Sequence, residues 1–196
     1  MRILAVQSRM GIGDTIMFLP YIKAISEKYN TPINILVRKS SKADQYLEGT
    51  NYIKEILTLE KNHSSDGKHD GFLGTVKLIK DLKSKKFEKI FIFNSSLRFN
   101  LMARLAGIKE IYQYPLLRKN KQHITETAKK FIENSINIKI FNDPKIHVDE
   151  QRVNDVISKF NIDKKEINVI LGIGGSGSTK RIPAKTFLKF MYNITQ

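Results

Sequence analysis

Apolar residues along this chain fall into short unbroken runs, and the runs alternate with stretches in which apolar positions recur every third or fourth residue. The first pattern marks strands buried on both faces, and the second marks amphipathic helices. Residues 3–6 (ILAV), 32–37 (PINILV), 90–93 (IFIF) and 168–172 (NVILG) read as buried strands. Residues 53–59 alternate weakly and residues 110–114 add a further strand. Helices are predicted over residues 15–29, 40–47, 72–82, 100–106, 123–135 and 150–160, and a last one opens at Pro183. In the first of these, Ile16, Leu19, Ile22 and Ile25 form the apolar stripe, and Pro20 interrupts it. Proline cannot donate to the carbonyl of Ile16, so a kink or an irregular turn is expected there. Val76, Ile79 and Leu82 line the helix of residues 72–82, and Phe187, Phe190 and Met191 the last one.

The polar stretches between these elements carry turn chemistry. Residues 61–71 (KNHSSDGKHDG) have no period and read as a surface loop whose two histidines face solvent. Residues 117–122 form a basic loop, and residues 136–147, with Pro144, form a connection between lobes. The βαβα rhythm predicts an α/β fold, a Rossmann-like and mostly parallel sheet covered by helices. Residues 1–145 complete one such domain. Residues 146–196 supply only a strand and helices, the incomplete start of a second Rossmann-like domain. Sheets of this kind bind ligands at the carboxyl ends of their strands. Two loops have that address, residues 8–14 (SRMGIGD) and residues 172–181 (GIGGSGSTKR).

Composition narrows the partners. An apolar fraction of 41% lies well above the disordered range. The net charge of +15 calls for an anionic partner. The basic residues are 26 Lys against 8 Arg, spread along the chain, which argues against base-reading contact with nucleic acid. It favours an anionic membrane face or glycolipid. The absence of cysteine removes disulfides, thiol chemistry and thiolate metal sites. The N-terminus has one charge and an apolar run too short for a secretory signal, so a cytoplasmic location is expected, with peripheral membrane contact.

The loop of residues 172–181 combines glycines with the hydroxyls of Ser176, Ser178 and Thr179 and the charges of Lys180 and Arg181, just before a helix. Free amides, a helix start and a nearby ammonium suit a diphosphate. The Gly-Lys-Ser/Thr junction of a P-loop is missing. The letters G-x-G-x-x-G over residues 172–177 do not by themselves specify a dinucleotide site. A plain glycine-rich turn is the alternative. In the loop of residues 8–14, Gly11 and Gly13 permit close approach of a ligand. Asp14 at the helix start is either an N-cap or a general base, and one carboxylate can serve as both.

Three patches resemble glycosyltransferase family 9, the lipopolysaccharide heptosyltransferases. These are MRILAVQSRMGIGDTIMFLPYIKAISEKY at the start, FEKIFIFNSSLRFNLMARLAGIKEIYQY in the middle, and ILGIGGSGSTKRIPAKTF at the end. His123 and Glu126 are similar to the family's His-x-x-Glu helix start. The likeness runs through the whole chain but covers only about the first half of a family member. It implies the N-terminal lobe of a two-lobed GT-B glycosyltransferase with a truncated start of the C-terminal lobe. It further implies inverting transfer of heptose, or a related sugar, from a nucleotide-sugar such as ADP-heptose to a lipopolysaccharide core or related anionic glycolipid. No metal and no cofactor beyond the nucleotide-sugar are implied. By position, Asp14 matches the catalytic base. Met10 and Gly11 match the loop bordering the sugar. Gly175 and Ser176 fall in the phosphate turn, and Lys180 matches the lysine that neutralises the leaving ADP. Ile182 departs from the family's tryptophan, and Asn94 stands where an Asp is common. Because the adenine- and heptose-binding residues of the later lobe are missing, these 196 residues alone are expected to be inactive. The alternatives are a non-catalytic nucleotide- or phosphosugar-binding module, a transferase using another nucleotide-sugar, and an RNA-binding protein. No RNA module with interleaved aromatics supports the last.

Overall fold

The unbroken apolar runs become the inner strands of a parallel sheet. The computed structural model describes residues 1–9, 11–61, 67–115, 123–141, 143–174 and 181–194. Its strands are β1 (Ile3–Gln7), β2 (Ile33–Arg38), β3 (Ile53–Leu59), β4 (Lys89–Ile92) and β5 (Glu110–Gln113). They pair in the order β3-β2-β1-β4-β5, every neighbour parallel. β1 is central, and all its residues are buried. This is why it lacks polar alternation: both faces are covered by helices and both edges by strands. Leu4 sits opposite Asn34 on one side and Ile90 on the other. The chain first builds outward through β2 and β3, then returns to place β4 and β5 on the far side of β1. This direction change is a topological switch point of a Rossmann-like sheet.

The helices are α1 (Ile12–Ile16), α2 (Leu19–Tyr29), α3 (Ala43–Tyr46), α4 (Gly71–Lys85), α5 (Leu97–Leu105), α6 (Ile124–Ile136), α7 (Glu150–Lys159) and α8 (Ala184–Ile194). Alternate residues of β1 feed opposite faces, as strand geometry requires. Ile3 and Ala5 join Ile22 and Ile25 of α2 and Ile132 of α6 in one buried cluster. Leu4 and Val6 join Leu78 and Leu82 of α4 and Met102 of α5 in the other. Both clusters lie within Met1–His147, one of two compact units; the second is Val148–Gln196.

Pro20 acts as its chemistry requires. The predicted helix of residues 15–29 splits into α1 and α2, and Pro20 sits in the first turn of α2, where its missing N–H is not needed. Two expectations fail. His69 is only 3% exposed, not solvent-facing. Its Nδ1 accepts the Glu60 N–H at 3.0 Å, and its Nε2 lies 3.4 Å from the Asp81 carboxylate. The backbone of this turn then packs against α4 at Gly74, where a Cβ would fall 2.3 Å from the His69 carbonyl carbon. His63 lies outside the described residues.

The second failure is the strand predicted over residues 168–172. The segment is irregular, and Ile170 is 91% exposed. A strand exists only through a neighbour's backbone groups, and none of the described residues supplies one. The Asn168 side chain instead donates to the carbonyls of Asp163 and Glu166, at 2.7 and 3.0 Å. Taken by itself, the second unit contains α7 and α8 and no strand among its described residues. Asp149 caps α7 by accepting the Gln151 N–H at 2.8 Å.

Candidate functional site

The carboxyl ends of β1, β2 and β4 converge on Ser8. Its carbonyl accepts from Nε of Arg38, the last residue of β2, at 2.8 Å. Its hydroxyl accepts from the Asn94 side-chain amide just past β4, at 3.1 Å. Asn94 Oδ1 in turn accepts the Ser96 N–H at 2.9 Å, and Gln113 of β5 donates to the carbonyls of Asn94 and Ser96. Gln7, buried at the end of β1, accepts the Arg9 N–H through its side-chain oxygen. The Arg38 guanidinium and the Asn94 and Gln113 amides thereby tie together the ends of four strands at one edge.

Asp14 stands on that loop. It is not the first residue of α1 but the third, and Gly11 is the N-cap. One carboxylate oxygen accepts the Gly11 N–H at 3.1 Å, and the other lies 3.9 Å from the Arg9 guanidinium. Gly11 permits this approach. A Cβ there would fall 2.9 Å from the Asp14 oxygen. The Asp14 side chain remains partly exposed. Asp14 is thus not the N-cap itself; it accepts the N-cap's amide and keeps part of its carboxylate exposed. Met10, Gly175, Ser176 and Lys180 lie outside the described residues, as does the basic loop of residues 117–122. Gly172 and Gly174 are irregular and open, with no heavy atom crowding the place of a Cβ. His123 is exposed and caps α6, its Nδ1 accepting the Thr125 N–H at 3.4 Å.

A second group at the same edge escaped the sequence reading. Lys61 follows β3, Arg38 ends β2, and Arg98 lies in the first turn of α5. Burial and the neighbouring Arg98 guanidinium hold the Lys61 ammonium below its ordinary value; Asp70 opposes this and Arg38 adds to it. Arg98 donates through one terminal nitrogen to the His69 carbonyl at 2.9 Å and to the Thr75 hydroxyl at 2.7 Å. Its Nε is buried with no partner among the described residues. Three cations thus gather at one edge, with Asp70 acting on Lys61, an arrangement that can meet an anion. A cavity of about 370 Å³, lined by Arg38, Ser41, Asp44, Thr58 and Glu60, opens beside them. A larger one, about 460 Å³, lies elsewhere, between the start of α2 and residues 141–147, and contains none of the residues nominated from sequence. The only sequence signal for the cations was position, since Arg38 and Lys61 each stand at the end of a strand run.

In the buried cluster shared with α2 and α6, Phe18, Phe93, Tyr114 and Phe131 pack edge to face, with centroids 5.0 to 6.1 Å apart. The Tyr114 hydroxyl is buried without a partner among the described residues. Burial raises its pKa, the neighbouring Tyr21 adds to this, and Arg9 works against it. Among the described residues, no group of three His, Asp or Glu side chains is placed to hold a metal ion.

A five-stranded parallel sheet of this order, with its polar edge at the switch point, has the form of the N-terminal Rossmann-like lobe of a GT-B fold. Comparison with solved structures bears this out. The chain is similar to a family 9 glycosyltransferase from Veillonella parvula, at TM-score 0.78 and 17% identity, over 99% of this chain and 60% of that one. It is similar to the ADP-heptose lipopolysaccharide heptosyltransferase II of E. coli, at TM-score 0.68 and 15% identity, over 100% and 61% of the two chains. It is also similar to the E. coli heptosyltransferase WaaC determined with ADP, at TM-score 0.63 and 14% identity, over 99% and 64%. At these identities the likeness is one of fold. The chain spans 60% of the length of the first of these structures. No protein-family model matches the sequence, and no curated protein does.

Proposed function

We propose that this chain forms the acceptor-side lobe, and the beginning of the donor-side lobe, of an inverting glycosyltransferase that uses a nucleotide-sugar. The observation that supports it is the Asp14 carboxylate, positioned at the carboxyl end of β1 by Gly11 and Arg9 and still open to a ligand. In this reading Asp14 takes the proton of an acceptor hydroxyl as that oxygen bonds to the anomeric carbon. The bond from that carbon to the diphosphate oxygen breaks on the opposite face, and its electron pair leaves with the nucleoside diphosphate. Arg9 keeps the carboxylate aimed. Arg38, Lys61 and Arg98 hold an anionic group of the acceptor, which makes a phosphorylated or acidic glycolipid core the fitting acceptor class. Gly175, Ser176 and Lys180 take the donor diphosphate, an assignment made from sequence position alone. A heptose carried on ADP is the donor suggested by the family resemblance and by the names of the similar structures.

The test is turnover in the protein at its full natural length. Asp14→Asn keeps the cap to Gly11 but removes the base, and the expected result is a fall in kcat of about a hundredfold or more with donor affinity retained. Unchanged kcat removes Asp14 from the reaction. Sugar-nucleotide binding without turnover in the unaltered protein supports a binding module instead.

A further inference from the structure

α4 and α5 lie side by side on one face of the sheet. Their inner residues Leu78, Leu82, Met102 and Ala103 share a buried cluster, and Arg98 on α5 donates to Thr75 on α4. The outer surface of the pair is apolar where a solvated surface is not. On α5, Leu97, Leu101 and Leu105 are all more than half exposed. Residues four apart on a helix stack into one stripe. The first turn of α4 adds Phe72, 82% exposed, and Leu73 beside it. Apolar side chains gathered this way mark an interaction surface.

The rim identifies the partner's chemistry. Lys77, Lys80 and Lys83 of α4 and Arg104 of α5 are exposed on the same two helices. Asp81 is the sole carboxylate in the two helices, and Lys68 already occupies it at 2.8 Å. We infer that this α4–α5 face seats the protein on an anionic lipid bilayer, with the leucines and Phe72 entering the boundary of the acyl chains and the Lys and Arg side chains meeting headgroup phosphates. A second copy is the poorer occupant, because a two-fold contact would set one cationic rim against another. Among the described residues no helix is long and apolar enough to cross a membrane, so the contact is interfacial. Each of the two helices follows the carboxyl end of a strand, so their first turns and the Ser8 edge share one end of the sheet. Docking through this face brings that edge to the lipid surface. The inference concerns where the lobe sits and stands apart from the transfer reading.

Vesicle flotation tests it without an activity assay. The intact chain is mixed at near-physiological salt with vesicles of phosphatidylcholine, alone or containing phosphatidylglycerol. It is expected to float with the anionic vesicles only. Leu97→Ser/Leu101→Ser/Leu105→Ser and Lys77→Gln/Lys80→Gln/Lys83→Gln are each expected to lower partitioning about tenfold or more. Leu188→Ser/Phe190→Ser on α8 leaves it unchanged. The altered side chains are exposed, and far-UV melting verifies the fold of each variant. Three results overturn the inference: absence of flotation by the unaltered chain, equal flotation of the leucine variant, or a dimer in sedimentation that the leucine substitutions dissolve.

Discussion

Gly11 illustrates how much one hydrogen atom decides. Its place as a close-approach residue was legible, because glycine beside a strand end and before an acid is a recognisable pattern. The approach turned out to be intramolecular, between its own backbone and Asp14. Gly11→Ala pushes the carboxylate off its cap, so kcat is expected to fall while the fold persists, checked by turnover beside a thermal melt. Tyr114 offers the opposite case. Its hydroxyl is buried and finds no partner among the described residues, so Tyr114→Phe is expected to leave stability unchanged or raise it by up to about 1 kcal/mol in a denaturant titration. Asp81 carries a pH signature. Its hydrogen bond to Lys68 lowers its pKa below the ordinary carboxylate range, burial opposing and His69 assisting. A depressed acid stabilises the fold above its unfolded value, and that contribution disappears as pH falls through the lowered one. Asp81→Asn is therefore expected to flatten the stability profile below about pH 4, read by melts across the acid range. The cation cluster of Arg38, Lys61 and Arg98 was invisible to the reasoning that nominated Asp14. Single basic residues in a Lys-rich chain carry no signal until the topology gathers them.

Elements were legible where their physics is local. The runs ILAV, PINILV and IFIF became β1, β2 and β4 because length, β-branching and flanking turns agree. Pro20 announced the break between α1 and α2 through its missing N–H. The segment at residues 168–172 has the same apolar character as β1 but no neighbour among the described residues, and a strand is a property of pairs. The turn at His69 was misread for a related reason. Its composition is that of a solvent loop, while its burial depends on Glu60, Asp81 and α4, none of which a window of sequence places there. Gly74 is the element-scale hinge of that packing. Gly74→Ala sets a Cβ against the His69 backbone, and a loss of about 1–3 kcal/mol is expected in chemical unfolding. A helix-propensity argument alone predicts the opposite sign.

At the scale of the molecule, both buried clusters end by Ile140. Val148–Gln196 contributes no fully buried residue of its own among those described. A chain ending at His147 is therefore expected to keep the cooperative unfolding transition of the longer one. Hydrogen exchange is expected to show fast amides throughout α7 and α8, and protection there equal to that of β1 contradicts it. The order of the strands in space, unlike their existence, was not written in any local pattern. It follows from right-handed crossovers and from which runs lack polar alternation on both faces.

That order has a consequence for how the protein is made. β1, at the centre of the finished sheet, leaves the ribosome before the sheet's other four strands, and one of its edges waits for β4, about 80 residues later. At ordinary translation speeds of roughly 5–20 residues per second, the wait lasts on the order of 4–16 seconds. Through that interval a nascent chain presents the bare amides and carbonyls of Ile3–Gln7 beside unburied isoleucine and leucine. The most hydrophobic strand of the lobe is thus also its longest-lived invitation to chaperones, or to mispairing between neighbouring chains on one message.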